Sequence, residues 1–384
     1  MEGRRKKLLF GALTAVISLV LTLVPAELLL RFRERRAAQS GRPRERLDLL
    51  EPNPTGTGSF RLKPGLRLVT SVQGRRIEIT TNRFGMRWRE VGLEKPAGRR
   101  RVAFLGDSYT FGCWSSSIER SFVGVFEKGI SPTAFEVLNF GVGGYGIGDE
   151  ELLLREQVIR FSPDHVMLMF FNGNDFRDTY LGLRKDRLVD GTAEVDPEVL
   201  RQKVPAEFLV NDRVEATPAP ETSALKSRLR QLASYRALEP LLGWENPYVE
   251  FGPSRRFMSY AFWSRVPYPD VARRARDESL AALGRINAFC RERGVSVAVV
   301  AIPTHDQVYS GREWGRDFDI AFPQVYVQVF AREQGIPFLD LLPPFRAYVR
   351  ERHAVLYVPI DQHLNDAGHA LAGETIAEWF RLTR

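Results

Sequence analysis

The chain has 384 residues, 44% hydrophobic and 27% charged, which excludes a mostly disordered or fibrous polymer and suits one large domain with insertions or two modest ones. Two cysteines, Cys113 and Cys290, are too few for a disulfide framework or a cysteine-based zinc site. The net charge of +8 is local, because residues 1–46 hold eleven Lys and Arg against four acids, which argues against a basic nucleic-acid-binding face on the folded body.

Leu8 to Ala26 is a run of 19 residues without a charge, and Leu28–Leu30 continues it past Glu27. A helix of that length, rising about 1.5 Å per residue, can cross a hydrocarbon core of roughly 30 Å. Basic clusters bracket it, and no small-x-small cleavage site closes it before Arg31, so an uncleaved single-pass anchor is expected over a signal peptide. Pro25 lies near its end, where a kink is tolerated. The flanking charges leave the side of the membrane open: seven basic residues downstream against four upstream favour the cytoplasm. A short tail followed by one span and a long domain favours export, and an extracytoplasmic domain is the preferred expectation.

Residues 31–60, rich in Arg, Pro, Gly and Thr, read as a juxtamembrane linker. Residues 66–72 and 75–81 predict a hairpin around Gln73-Gly74 that packs on the main domain. From Arg100 the pattern changes to short apolar runs at Val102–Leu105, Phe135–Leu138, Val166–Phe171, Val295–Ile302 and Pro337–Leu339. They alternate with stretches of helical period at about 119–129, 148–160, 270–293, 322–335 and 366–382. Continuously apolar strands separated by helices predict an α/β fold with a parallel sheet covered on both faces, its site beyond the carboxyl ends of the strands. Residues 178–265, polar and irregular with several aromatics, read as an insertion: a cap that shapes access, or a structural elaboration. The expected organisation is an anchor at 1–30, a linker with a small β lead-in at 31–98, and the main domain at 99–384.

The chemistry-bearing residues fall at the strand ends. The first strand runs out through Gly106-Asp107-Ser108, a turn that can lift a serine onto the rim of the sheet. The second is followed by Gly141-Val-Gly143-Gly144-Tyr-Gly146, whose backbone can approach a ligand and present N–H groups. Asn172-Gly173-Asn174-Asp175 follows the third and places an Asn amide at the sheet edge, unless it is merely an Asx turn or cap. A serine nucleophile needs a base, and there are five histidines. His165 opens a strand and His353 ends a charged helix, so both read as structural. His305 follows the fourth strand, where it could touch substrate, but reads first as a surface-loop residue. His369 lies within the last helix, with its ring directed away from the preceding loop. His363, in Asp361-Gln362-His363, is the best base, with Asp361 placed to hold its tautomer.

Taken together and in this order, Gly106-Asp107-Ser108, Gly144, Asn174 and Asp361/His363 resemble the SGNH (GDSL) hydrolase family. The upstream segment Thr81-Asn82-Arg83-Phe84-Gly85-Met86-Arg87 is similar to the N-x-x-G-x-R lead-in of its membrane-anchored bacterial members. The resemblance implies a flavodoxin-like three-layer α/β/α sheet and hydrolysis of an O-acyl or O-acetyl ester of a glycan or lipid, without metal or cofactor. It implies Ser108 as nucleophile, His363 as base with Asp361 orienting it, and an oxyanion hole from the Ser108 and Gly144 N–H groups and the Asn174 amide. One residue separates Asp361 from His363 where the family commonly has two, which puts the orienting role of Asp361 in question before that of His363. An O-acyltransferase with the same groups and a non-catalytic binding or assembly factor are the alternatives. The implied partners are a small-molecule, glycan or lipid ester and, through residues 1–30, a membrane.

Overall fold

The computed structural model describes residues 46–47, 49–54, 60–72, 75–182, 188–189, 192–193, 264, 266–309, 319, 321–358 and 363–383, together with Pro25. All but Pro25 fall in one compact unit, Glu45–Thr217 with Tyr248–Arg384. The expected anchor lies outside the described residues except for Pro25, which is helical. Among the described residues no helix is long and apolar enough to cross a membrane.

Four short strands open this unit after β1 (Arg46–Leu47): β2 (Leu50–Pro52), β3 (Phe60–Leu62), β4 (Arg67–Val72) and β5 (Arg75–Thr80). β2 pairs with β3, and β4 with β5, both antiparallel. The second hairpin is the one its β-favouring residues predict. The first corrects the linker reading at 49–54 and 60, the described part of its end, because Leu49, Leu50 and Leu62 are buried in the same core as the main sheet. Apolar burial there outweighs a composition typical of connecting chain.

The main sheet is built from β6 (Arg100–Gly106), β7 (Phe135–Gly141), β8 (His165–Phe171), β11 (Ser296–Ile302) and β12 (Phe338–Asp340). Its order is β7-β6-β8-β11-β12 with every pairing parallel. This is the doubly wound, flavodoxin-like order, with the topological switch beside β6. Val102–Leu105, Val166–Met169 and Val299–Ile302 are completely buried, as strands covered on both faces require. The helices are α1 (Ser108–Phe111), α2 (Phe122–Gly129), α3 (Ile147–Glu156), α4 (Asp175–Leu181), α5 (Asp270–Arg291), α6 (His305–Tyr309), α7 (Gln324–Glu333), α8 (Leu342–Arg352) and α9 (Asp366–Leu382). α2 packs against α9, while α3 and α4 pack against α5. Two minor strands, β9 (Leu188–Val189) and β10 (Thr192–Ala193), join β1 in a small antiparallel sheet.

Two boundaries differ from the sequence expectation. The insertion does not begin at 178, because α4 runs to Leu181 with Asp178, Tyr180 and Leu181 buried. Apart from β9, β10, Ser264 and the start of the next segment, the remainder of 183–265 lies outside the described residues. α8 ends at His353 as its charged residues suggest, but its start at Leu342 was not marked, since Pro343 and Pro344 disguise the first turn, where proline is tolerated.

Arg101 joins the lead-in to the sheet. Its fully buried guanidinium donates to the carbonyls of Leu93 (2.5 Å), Gly92 (2.8 Å), Glu94 (2.6 Å) and Phe161 (2.6 Å), and Nε meets Glu136 at 2.5 Å. Arg101→Met would leave four carbonyls and a carboxylate without their donor. A loss of about 3–5 kcal/mol in a denaturant titration is expected, the usual result of removing one partner of a buried ion pair. A loss below about 1 kcal/mol would show that the surface loop, not the arginine, holds the lead-in in place.

Candidate active site

β6 ends at Gly106, and the chain turns immediately into α1. Asp107 caps that helix, its Oδ1 accepting from the Tyr109 N–H at 2.9 Å, so Ser108 is lifted off the strand end into the first helical turn. The neighbouring strand end allows this by close approach: a Cβ on Gly141 would lie 2.1 Å from the Phe111 nitrogen. Asn139 secures the same junction, donating from Nδ2 to the Thr110 carbonyl at 2.9 Å and accepting from the Gly141 N–H at 2.9 Å. Gly144 follows at φ 78° in the loop that Val142 ties to the Gly106 carbonyl at 3.0 Å.

His363 arrives from the other end of the domain. Tyr357 and Leu364 form an antiparallel bridge, Val358 N–H donates to the His363 carbonyl at 2.7 Å, and Asn365 N–H donates to the Leu356 carbonyl at 2.9 Å. Asn365 then caps α9 through Gly368 at 3.0 Å. Held this way, His363 Nε2 lies 2.7 Å from Ser108 Oγ. Both residues are buried, Ser108 at 2% and His363 at 5% exposure. Tyr109 lies against the imidazole (centroids 4.9 Å, 35°) and itself stacks on Phe171 at 3.9 Å, while Trp114 meets the ring edge-on at 6.4 Å. Asp361 lies outside the described residues.

Asn174 stands at the start of α4 without capping it. Its Nδ2 donates to Asp178 Oδ2 at 2.9 Å, while Oδ1 is buried without a partner among the described residues. The structure therefore gathers Ser108, His363 and Asn174 around Asp107. It leaves the other histidines apart. His165 Nδ1 bonds the Ser296 hydroxyl. His353 ends α8 in a left-handed conformation. His305 corrects the surface-loop reading: it is buried at the start of α6 against Tyr309 and Tyr357, because α6 follows β11 directly and turns inward. No cluster of three or more metal-ligating side chains occurs among the described residues.

The electrostatics under the site were not legible in the sequence. Burial pushes Asp107 up to about 6, opposed mainly by the Tyr109 N–H and the His363 charge and assisted by Asp178. Asp175, fully buried beside Asp107 and Glu150, is held well above the ordinary carboxylate range by desolvation and then by those neighbours. Asp178 meets Arg177 Nε at 2.5 Å. His369, fully buried beneath the site, accepts from the Phe122 N–H through Nδ1 at 3.2 Å and faces the Cys113 carbonyl through Nε2 at 3.4 Å. Burial lowers it to about 4.

A family model for the GDSL-like lipase/acylhydrolase family matches residues 104–371. The chain belongs to that family. It is accordingly a hydrolase acting on ester bonds, and the carboxyl end of β6, all of β7, the serine turn and the histidine loop lie within the match. No curated protein matches its sequence. Among solved structures it is similar to a two-domain esterase active on acetylated mannans (15% identity, TM-score 0.39), covering 74% of this chain and 50% of that one. The chain thus spans half the length of that protein. It is also similar to an acetyl xylan esterase (15% identity, TM-score 0.38; 73% of this chain and 99% of that one). An acetylxylan esterase from Geobacillus stearothermophilus gives 14% identity and a TM-score of 0.38, with 73% and 94% covered.

The two buried titrations oppose each other. His369 is lowered from 6.5 to about 4, so the folded state holds fewer protons than the unfolded chain in that window; its contribution is full above pH about 6.5 and is lost as pH falls towards about 4. Asp107 is raised from 3.8 to about 6, so its contribution runs the other way, lost as pH rises through about 6. His369→Gln removes the first and leaves the second. The Tm of the variant relative to wild type is expected to become more favourable as pH falls from neutrality to about 4. A difference independent of pH would show that His369 titrates normally.

Proposed function

We propose that this chain is a serine esterase that hydrolyses an O-acyl or O-acetyl ester of a glycan or lipid through an acyl-enzyme. The single observation that carries this reading is the 2.7 Å contact between Ser108 Oγ and His363 Nε2, buried at the carboxyl edge of the sheet. A serine hydroxyl is a poor nucleophile until a neighbouring base takes its proton, and an imidazole at hydrogen-bond distance is poised to do so.

In the first half-reaction Ser108 Oγ attacks the ester carbonyl as its proton passes to His363 Nε2. The C–O bond to the alcohol then breaks, and the imidazolium returns that proton to the departing alkoxide. In the second, His363 takes a proton from water, hydroxide attacks the acyl-serine, and collapse regenerates the Ser108 hydroxyl with release of the free acid. Negative charge develops on the carbonyl oxygen in both tetrahedral intermediates. The Ser108 and Gly144 N–H groups and the Asn174 amide are the donors for it, Asn174 being held in place by Asp178. Losing one such donor typically raises the barrier by about 2.7–4 kcal/mol. Asp361 is the proposed orienting acid for His363, supplementing the aromatic packing of Tyr109 and Trp114.

A fluorophosphonate followed by intact mass measurement tests the nucleophile without the natural substrate. One adduct is expected on the wild-type chain and none on Ser108→Ala or His363→Ala. An adduct that persists in folded Ser108→Ala would overturn the assignment. Asp361→Ala separates the two sources of imidazole orientation. Because the ring is already braced by Tyr109 and Trp114, Asp361→Ala should retain far more activity than His363→Ala, and equal losses would make the carboxylate indispensable.

A further inference from the structure

The segment Asn82-x-x-Gly85-x-Arg87 lies ahead of the family match, which begins at residue 104, and the chemistry above gives it no part. Its geometry is specific. Asn82 Oδ1 accepts from the Phe84 and Met86 N–H groups, each at 3.0 Å, and Nδ2 donates to the Arg89 carbonyl at 2.9 Å. Gly85 adopts φ 80°, and a Cβ there would lie 2.2 Å from the Leu62 carbonyl oxygen. The loop is thereby closed on itself and pressed onto β3, and beside the apolar Met86 it sends one charged side chain into the interior.

That side chain is Arg87. It is 2% exposed and meets the turn that follows Ser108. Nη1 donates to the carbonyls of Phe111 (3.1 Å) and Gly112 and to the Ser115 hydroxyl (3.3 Å), and Nη2 donates to the Ser115 carbonyl (3.3 Å). The guanidinium also lies over the Phe111 ring at 5.0 Å. Among the described residues its hydrogen-bond acceptors are all carbonyl and hydroxyl oxygens, and Nε is buried without a partner. The titratable groups that feel it are Cys113 and His369. Burial lowers it to about 10, so it stays cationic at neutral pH. A buried cation with only carbonyl and hydroxyl acceptors is costly, and a neutral side chain would fill the space without that cost.

The same turn touches both partners of the site. Cys113 N–H closes back onto the Ser108 carbonyl at 3.0 Å, and Trp114, held at φ 64°, is the edge that meets His363. A non-glycine residue in that left-handed region is strained and persists only where its surroundings over-determine it. From the far side α9 grips the turn as well: Asp366 accepts from the Ser116 N–H (2.9 Å) and hydroxyl (2.7 Å), and His369 faces the Cys113 carbonyl. Arg87 supplies the opposing grip.

We propose that Arg87 is a positioning residue for the hydrolysis, setting the alignment of Ser108 with His363 by holding the 111–115 carbonyls, and that Asn82 and Gly85 serve to deliver it. The proposal rests on the reading of Ser108 as nucleophile and His363 as base. A planar fork reaching several acceptors is not reproduced by a lysine ammonium, so the conservative change is informative.

The experiment uses the full chain and follows the rate of fluorophosphonate labelling of Ser108, with kcat and KM on p-nitrophenyl acetate, at a temperature well below the Tm of every variant. Arg87→Lys is expected to fold and to label about 10²-fold more slowly, the scale of a misalignment of roughly 1 Å, with kcat lowered and KM little changed. Added guanidinium at millimolar concentration is expected to restore part of the labelling rate of Arg87→Ala, which a general loss of stability would not allow at that temperature. Ser115→Ala, which removes one acceptor of Arg87, tests the same contact in a milder variant and is expected to slow labelling in the same sense. Folded Arg87→Lys or Ser115→Ala labelling at the wild-type rate would overturn the proposal, as would an Arg87→Ala defect that guanidinium leaves untouched. Failure of the wild-type chain to label at Ser108 would instead overturn the serine reading on which the proposal stands.

Discussion

A hydrogen bond between a serine near the start of the sheet and a histidine just before the last helix is the contact on which the rest of the structure depends. Ser108 and His363 are 255 positions apart, and their side chains meet at 2.7 Å. Parallel strands make this possible, since all their carboxyl ends share one edge and each following loop is delivered to the same place. Register then matters at the level of single residues. Gly106 and Gly141 end paired strands side by side, which lets the β7 exit support α1 directly.

Around that contact the protein buries more charge than a stable core alone would favour. Asp107, Asp175, Asp178 and Glu150 lie beneath the serine turn, and Arg87 and His369 lie behind it. Each ionised group removed from water carries a desolvation penalty, which is why Asp107 and Asp175 are shifted upward and Arg87 and His369 downward. These groups also make the hydrogen bonds that fix the loops: Asp107 to the Tyr109 N–H, Asp175 to the Phe171 N–H at 2.8 Å, Asp178 to the Asn174 amide. Preorganised polar groups in a water-poor site are what stabilisation of a developing oxyanion needs. Stability is given up locally, and the all-apolar strands restore it.

Recognition of the fold from sequence worked where one local rule governed the residues. Val166–Phe171 and Val297–Ile302 are apolar without interruption because both faces of the sheet are covered, and they were readable as strands for that reason. α9 came out at its observed limits because Asn365 caps it and its buried face repeats with helical period. α4 was missed because its seven residues are too few to show a period and two of them, Asp175 and Asp178, are acidic side chains folded inward. His305 was misplaced because a loop of polar sequence turned out to be the first turn of a buried helix. Arg87 was visible as part of a motif, yet nothing in its neighbours indicated that its acceptors would be carbonyls of a different segment.

The sequence by itself determined the alternation of apolar strands and amphipathic helices, and it identified the serine turn, the glycine loop, the Asn–Asp corner and the histidine loop by residue type. Those features depend on spacing and composition over a few residues, which the chain carries openly. Only the tertiary structure decided that Asn174 is held by Asp178, that a cluster of acids lies underneath, that His305 is buried, and that Arg87 closes the nucleophile turn. Each of these is a contact between segments far apart in the chain, and burial rather than local pattern sets its geometry and its charge.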